Sequence, residues 1–226
     1  MRYKYETHMH TSKVSRCARS TAVEQVRAYK NRGYAGVIIT DHFINGNCNC
    51  PRELPWKQKM DFFASGYEEA LAEGKKCGLD VFYGWEYCIR GTEFLTYGLD
   101  QAFLLANPGF DKLTAAAYSA LVRKSGGYLA QAHPFRDDSY IDYKLPVAPY
   151  LLDGVEIYNA SMPASTNAKA AAFAKQHGVC AQAGSDSHHK DFPAPSGIAL
   201  DKRAESIFDI IAAIRENRAE LLINTL

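Results

Sequence analysis

Residues 4–10, Lys-Tyr-Glu-Thr-His-Met-His, and residues 36–42, Gly-Val-Ile-Ile-Thr-Asp-His, decide how the chain is read. Each runs like a β-strand and then stops at side chains that bind metals. The ending recurs elsewhere. Glu86 closes VFYGWE (81–86), His133 closes GYLAQAH (127–133), and Asp186 and His188 end VCAQAGSDSH (179–188). Glu156 in GVEIYN (154–159) repeats it more weakly. Five of the seven histidines fall at such ends, whereas His177 lies inside a helix-like run. Side chains two apart on a strand share a face, so His8 and His10 can meet one ion, as can Asp186 and His188. Imidazole nitrogen with carboxylate oxygen suits zinc, manganese or iron better than calcium. One His-x-His alone is an ordinary polar strand face. Six such endings describe metal ligands gathered at one mouth of a sheet or barrel.

Working outward, helical runs separate these stretches. Thr21-Ala-Val-Glu24 has the form of a capping box, with Gly33 placed to end its helix. Trp56, Met60, Phe63, Tyr67 and Leu71 form one apolar face of a second helix. Further helical runs are expected over Leu113 to Lys124, Pro146 to Leu152 (a short turn), Ser165 to His177 and Ser206 to Asn217, with AELLINTL (219–226) a final segment. FLTYGL, from Phe94, reads as another strand. Alternating strands and helices predict a parallel sheet within one α/β domain spanning residues 1–226. Five or more strands delivering ligands to one spot require closure into a barrel, because an open sheet serves its crevice with only a few strands.

The bulk properties exclude several function classes. A net charge of +1 over 226 residues argues against broad capture of nucleic acid or membrane, so no stable nucleic-acid partner is expected, although a short oligonucleotide remains compatible. No apolar run reaches the roughly 18 residues of a membrane span. The opening residues enter the expected site at once, leaving no room for a signal peptide, so the expectation is a cytoplasmic protein. The six cysteines then read as reduced thiols. Cys17, Cys48 and Cys50 fall in loops, and Cys77, Cys88 and Cys180 read as packing residues. The oligomeric state is not set by these features.

With those motifs laid out, the chain resembles the PHP family, named for polymerase and histidinol phosphatase, over essentially its whole length. His8-x-His10, Thr40-Asp41-His42, Glu86, Ala132-His133-Pro134 and Gly184-Ser185-Asp186-Ser187-His188 carry the resemblance. It implies a distorted (β/α)7 barrel whose C-terminal mouth holds two or three divalent metal ions (Zn, Mn or Fe). His8, His10, Glu86 and Asp186 would hold one ion, Glu86 would bridge to a second that also takes His133, and His42 and His188 would serve a third. Two positions depart from the pattern, with Arg16 and Glu93 standing where many relatives carry histidine. Glu93 can still ligate through oxygen. A guanidinium cannot, but it can grip a phosphate bidentately, so Arg16 is expected either at the substrate beside two well-occupied ions or as a solvated loop residue. Cys17 is expected as a reduced loop thiol, with a thiolate metal ligand as the alternative.

The resemblance implies hydrolysis of a small phosphoester, a phosphomonoester or nucleotide, by metal-bound hydroxide. Arg136 would neutralise phosphate, or else pair with Asp137 or Asp138. Asp41 would orient a ligand histidine rather than bind metal itself, and His189 would protonate the leaving oxygen or else be an exposed loop histidine. Residues 43–54 and 136–149 should shape the pocket, where Asn45, Asn47, Tyr140 and Tyr143 suggest a polar, stackable leaving group. The competing readings are a histidinol-phosphate phosphatase-like enzyme, an amidohydrolase-like metal hydrolase acting at carbon, and a non-catalytic metal-binding module. The second usually carries a bridging lysine, and no strand end here offers one.

Overall fold

The structure, a computed structural model, describes residues 2–142 and 146–223. Seven strands follow one another in both sequence and space. They are β1 (Tyr3–Met9), β2 (Gly36–Ile39), β3 (Asp80–Ile89), β4 (Thr92–Tyr97), β5 (Tyr128–Gln131), β6 (Gly154–Asn159) and β7 (Cys180–Gly184). Two more, β8 (Gly197–Leu200) and β9 (Glu220–Leu222), extend the sheet beyond β1. Helices α1 (Ala22–Asn31), α2 (Trp56–Cys77), α3 (Gln101–Ala106), α4 (Ala115–Lys124), α5 (Ala164–His177) and α6 (Ile207–Arg215) lie between them. Residues 146–152 contain only a short 3-10 turn, Pro149–Leu151. No helix among the described residues is long and apolar enough to cross a membrane.

The sheet curls into a nearly closed, distorted barrel. Its seam lies where the end of β1 meets the chain leaving β7: the Ser187 amide donates to the His8 carbonyl (3.1 Å) and the His10 amide to the Ser187 carbonyl (2.9 Å). The Thr7 hydroxyl adds a bond to the Ala183 carbonyl (2.6 Å). The first half of β1 pairs instead with β8, so β1 serves two neighbours in succession.

The expectation of an all-parallel sheet is corrected. Strands β3, β4 and β5 pair antiparallel, as do β1 with β8 and β8 with β9. β3 does not stop at Glu86; it continues to Ile89 and folds back through Arg90–Gly91, both at positive φ (53° and 85°). Two residues at positive φ match the right-handed twist of a tight hairpin. Arginine is not a turn residue, which is why the sequence hid the hairpin. A consequence follows for the site: β4 begins at the mouth, so Glu93 arrives from a strand start, not a strand end.

Alternation along β3 separates core from site. Trp85 and Tyr87 face outward into an aromatic cluster with Phe43, Phe63, Phe94, Phe110 and Tyr118, while Glu86 faces the barrel interior. Tyr87 stacks on Tyr118 at 3.8 Å, and Trp85 Nε1 donates to the Tyr118 hydroxyl (2.7 Å). Such ring pairs add about 0.5–1.5 kcal/mol each beyond area burial. The α6 isoleucines Ile210, Ile211 and Ile214 pack with Tyr97 and Tyr128. Arg215 reaches the Gly127 carbonyl at the start of β5, which puts α6 at the end opposite the mouth.

Gly184 allows the seam to form. A Cβ there would lie 2.5 Å from Glu156 Oε1, 2.7 Å from His8 Cβ and 3.0 Å from Thr7 Oγ1. Gly184→Ala is expected to destabilise by about 1–3 kcal/mol through overpacking, read by calorimetry as a Tm lower by several degrees. An unchanged Tm would contradict this account of the closure.

Candidate metal centre

A bulge in β1 aims the first two histidines. Glu6 pairs with Val37 and Met9 with Ile39, so the register slips by one residue between them. Paired residues share a face, and Met9 and Ile39 belong to the cluster packed under α1 and α2. After the slip, His8 and His10 point into the barrel; without it they would face outward with Glu6. The bulge leaves the Thr7 and His8 amides without ladder partners, and both donate to Glu6 Oε1 (3.0 and 2.9 Å).

Glu86 is the centre of the resulting cluster. Its Oε1 lies 3.2 Å from Nε2 of both His8 and His133, and its Oε2 lies 2.8 Å from His42 Nδ1 and 3.5 Å from His10 Nε2. Asp186 Oδ1 is 3.4 Å from His8 Nε2 and 3.2 Å from His10 Nε2. Glu93 contributes Oε1 at 3.5 Å from His42 Nδ1 and Oε2 at 3.4 Å from His133 Nε2. His188 stacks on the His10 ring at 4.3 Å. All eight residues expected as ligands therefore converge on one site. His133 and Asp186 hold positive φ (27° and 55°), a strain of about 1–3 kcal/mol each that surrounding structure must offset.

The arrangement tests whether divalent ions fit. His8 Nδ1 donates to Glu156 Oε1 (3.0 Å), and His10 Nδ1 donates to the Ser15 hydroxyl (3.1 Å), which itself donates to Asp41 Oδ1 (2.7 Å). These bonds occupy both Nδ1 atoms and turn the Nε2 positions toward the oxygens of Glu86 and Asp186. His8 Nε2, His10 Nε2, His42 Nδ1 and Glu86 Oε2 are all buried without an aligned hydrogen-bond partner. Lone pairs facing lone pairs in a buried place are relieved only by protons or cations between them. Among the described residues, ligand atoms within 4.8 Å of one another group as His8–His133–Asp186, His8–His10–Glu86, His42–Glu86–Glu93 and His10–His42–His188. The residues fit divalent metal.

The electrostatics agree. Burial opposes ionisation of Glu86, but His8 and His42 outweigh it and hold the carboxyl well below its usual range. Burial likewise works against a charged His8, yet Glu156, Asp186 and Glu86 together hold it well above the ordinary histidine value. Burial, then the neighbouring His188 and His42, keeps His10 neutral. Glu93 is pushed up to about 7, by burial and then by Glu86 beside it.

Other sequence expectations fall differently. Asp41 does not line the cavity. It accepts from the Thr11 amide and hydroxyl (2.6 Å each) and acts on His10 only through Ser15; burial lifts it to about 6 against those bonds. Arg136 lines the cavity and also pairs with Asp138 (2.5 Å), its Nη1 lying 3.9 Å from Glu93. Arg16 and His189 take the loop placements that stood as their alternatives. Arg16 does not line the cavity, because its guanidinium turns to the Cys48 carbonyl (3.0 Å) and lines a separate cavity with Arg52 and Lys59. His189 is not a cavity residue either; its ring sits 5.9 Å from Phe192. Cys17 occupies the mouth instead, with Sγ 3.2 Å from His42 Nε2 and 3.1 Å from His188 Nε2. Burial raises its thiol, but the bonds from His188 and His42 win and bring it down to about 6.

The cavity above the cluster measures about 590 Å³, and Asn45, Asn47, Tyr140, Ser161 and Met162 help to line it. Tyr143 lies outside the described residues. Two contributors were not legible as such. Ser15 carries no motif at all, and Glu156 gave only its strand-end position as a signal. Glu156 also accepts from the His133 amide (3.0 Å) and Asn159 Nδ2 (2.8 Å), so three donors converge on it.

Glu156→Gln would set an amide NH2 against one of those donors, a loss of about 1–3 kcal/mol. The expected result is weaker zinc binding, by roughly 10–100-fold, in a titration calorimeter, with the fold retained by circular dichroism. Unchanged affinity would remove Glu156 from the site.

No protein-family model and no curated protein matches the sequence. Solved structures do match. A two-domain protein from Bacteroides vulgatus containing a predicted PHP-like metal-dependent phosphoesterase aligns at TM-score 0.73 and 15% identity, over 99% of this chain and 65% of that one. PsfC from Pseudomonas syringae aligns at 0.67 and 15%, over 99% and 92%. The lesion-specific endonuclease EndoQ from Pyrococcus furiosus aligns at 0.62 and 13%, over 99% and 58%. The chain thus spans about two thirds or less of the first and last of these proteins. Its fold is the nearly closed, PHP-like barrel that these solved structures share.

Proposed function

We propose that this protein is a metal-dependent phosphoesterase acting on a small phosphorylated substrate, with two or three divalent ions held by His8, His10, His42, Glu86, Glu93, His133, Asp186 and His188. The observation that carries this reading is the set of buried, unpartnered ligand atoms converging on Glu86. The PHP-like fold supports it. Ions bound there would supply charge neutralisation on phosphoryl oxygens and a water acidified toward a pKa of about 7.

The chain's own groups would do the rest. Arg136 reaches the cavity beside Glu93 and sits 5.5 Å from the Tyr140 ring, placing a permanent positive charge where a phosphate would dock. Asp138 holds that guanidinium through Nε, leaving its other nitrogens to donate. Asn45 is held by the Cys88 carbonyl (2.6 Å) and, with Asn47 and Tyr140, offers polar and aromatic surface to a leaving group such as a sugar or nucleoside. The six free thiols suit the reducing cytoplasm proposed as its compartment.

Proton linkage gives one test. His8 and His42 are held well above the ordinary histidine value, by their neighbouring carboxylates against burial. Below those raised values they carry protons, and an entering ion must displace them. Apparent zinc affinity is therefore expected to rise with pH, with net proton release seen by calorimetry in buffers of differing ionisation enthalpy. Binding without proton release would contradict the assigned ligands.

Activity gives the other. Metal-free protein reloaded with manganese, zinc or iron is expected to hydrolyse members of a phosphomonoester and phosphodiester panel. Glu86→Ala, folded by circular dichroism, should lose at least about 100-fold in kcat/KM. Stoichiometric metal binding with no turnover on any ester would refute the phosphoesterase reading.

A further inference from the structure

The segment from Thr11 to Ser20 crosses the mouth, and its placement is fixed from both sides of residue 17. The Arg16 amide donates to the Asn47 carbonyl (2.9 Å) and the Arg16 guanidinium to the Cys48 carbonyl (3.0 Å). On the other side, the Arg19 amide donates to the His188 carbonyl (2.8 Å). Between these anchors Cys17 Sγ lies 3.2 Å from His42 Nε2 and 3.1 Å from His188 Nε2. His188 Nδ1 donates to the Asp186 carbonyl (2.8 Å), so its Nε2 carries the lone pair that faces the sulfur. A third imidazole, with its Nε2 turned to Glu86 and Asp186, adjoins this position. His10 is fully buried with Nε2 unpartnered, its ring lies 4.4 Å from His42 and 4.3 Å from His188, and the three imidazoles form one of the converging ligand groups.

We infer that Cys17, His42 and His188 form a thiolate-containing position that takes a thiophilic divalent ion, zinc or ferrous iron, in preference to manganese or magnesium. This deepens the metal reading proposed above and rests on it. Arg16 turns out of the mouth to hold the loop, and the neighbouring sulfur faces the two imidazoles. On binding, the Cys17 S–H bond breaks as the sulfur–metal bond forms, and the proton leaves to buffer. Zinc accepts a tetrahedral set of sulfur and nitrogen donors, whereas manganese and magnesium favour oxygen. The position therefore differs in metal preference from the carboxylate-rich groups around Glu86.

Cobalt(II) titration of the full-length, metal-free protein tests the assignment, followed by near-ultraviolet sulfur-to-cobalt charge-transfer absorption and by calorimetry. The wild type should develop that band, Cys17→Ser should lack it while still binding cobalt at the remaining ligands, and Cys88→Ser, which alters another cavity thiol, should keep it. After dialysis against zinc, the wild type should retain more ion per chain than Cys17→Ser, and the two should retain equal manganese. Cobalt binding to the wild type without the band overturns the thiolate ligand and leaves the metal reading standing. A band that survives in Cys17→Ser and vanishes in Cys88→Ser assigns the sulfur elsewhere and also overturns it. No cobalt binding by any of the three proteins defeats both readings together.

Discussion

One buried carboxylate, Glu6, holds together the part of the fold on which the site depends. Its Oε1 accepts the Thr7, His8 and Ser185 amides, and its Oε2 accepts the hydroxyls of Tyr29 and Ser185. Those donors belong to the β1 bulge, the exit of β7 and helix α1. A bulge strands two amides, and stranded buried amides cost about 1–3 kcal/mol each unless bonded. Glu6 satisfies both and ties the bulge to the closing strand. Burial pushes its own carboxyl up to about 7, against all of those bonds. The bulge in turn rotates His8 and His10 into the barrel, so ligand geometry and barrel closure are one piece of structure.

The centre packs four carboxylates and a set of imidazoles away from water. Glu86, Glu93, Asp186 and Glu156 are each at most 6% exposed. A buried carboxylate is tolerated only when paired or bonded, and here each is. Glu156 is satisfied by protein donors alone. Glu86 and Asp186 face the Nε2 atoms of His8 and His10, whose Nδ1 atoms are already committed, and Glu93 faces His42 and His133. That division separates groups that orient ligands from groups that offer lone pairs to an ion. The same division explains Asp41, which carries a metal-binding side chain but spends it on Thr11 and Ser15.

Much of this was legible from the chain. Strand endings at His8, His10, His42, Glu86, His133, Asp186 and His188 pointed to one gathered site, because a strand end at a barrel mouth is where polar side chains can converge. The capping box at Thr21 and Glu24 formed as its pattern implied. Less legible were features made by contacts distant in sequence. The Arg90–Gly91 hairpin reversed β4 and brought Glu93 in from a strand start. At Arg16 and Cys17 adjacent side chains point opposite ways, and bonds to the carbonyls of Asn47, Cys48 and His188, all distant in sequence, decide which faces the mouth. His189 follows a ligand histidine directly yet packs toward Phe192.

What the sequence determined by itself is therefore the chemistry: which donors exist, their mixture of nitrogen and oxygen, and their attachment to apolar strand-like runs. Those are local properties, set by residue type and by period-two alternation. What only the tertiary structure decided is which way each donor faces. That choice rests on the bulge slip in β1, the antiparallel return of β4 and the anchoring of the loop from Thr11 to Ser20. Each is settled by hydrogen bonds between residues far apart in the chain, whose free energy appears only once the barrel has closed.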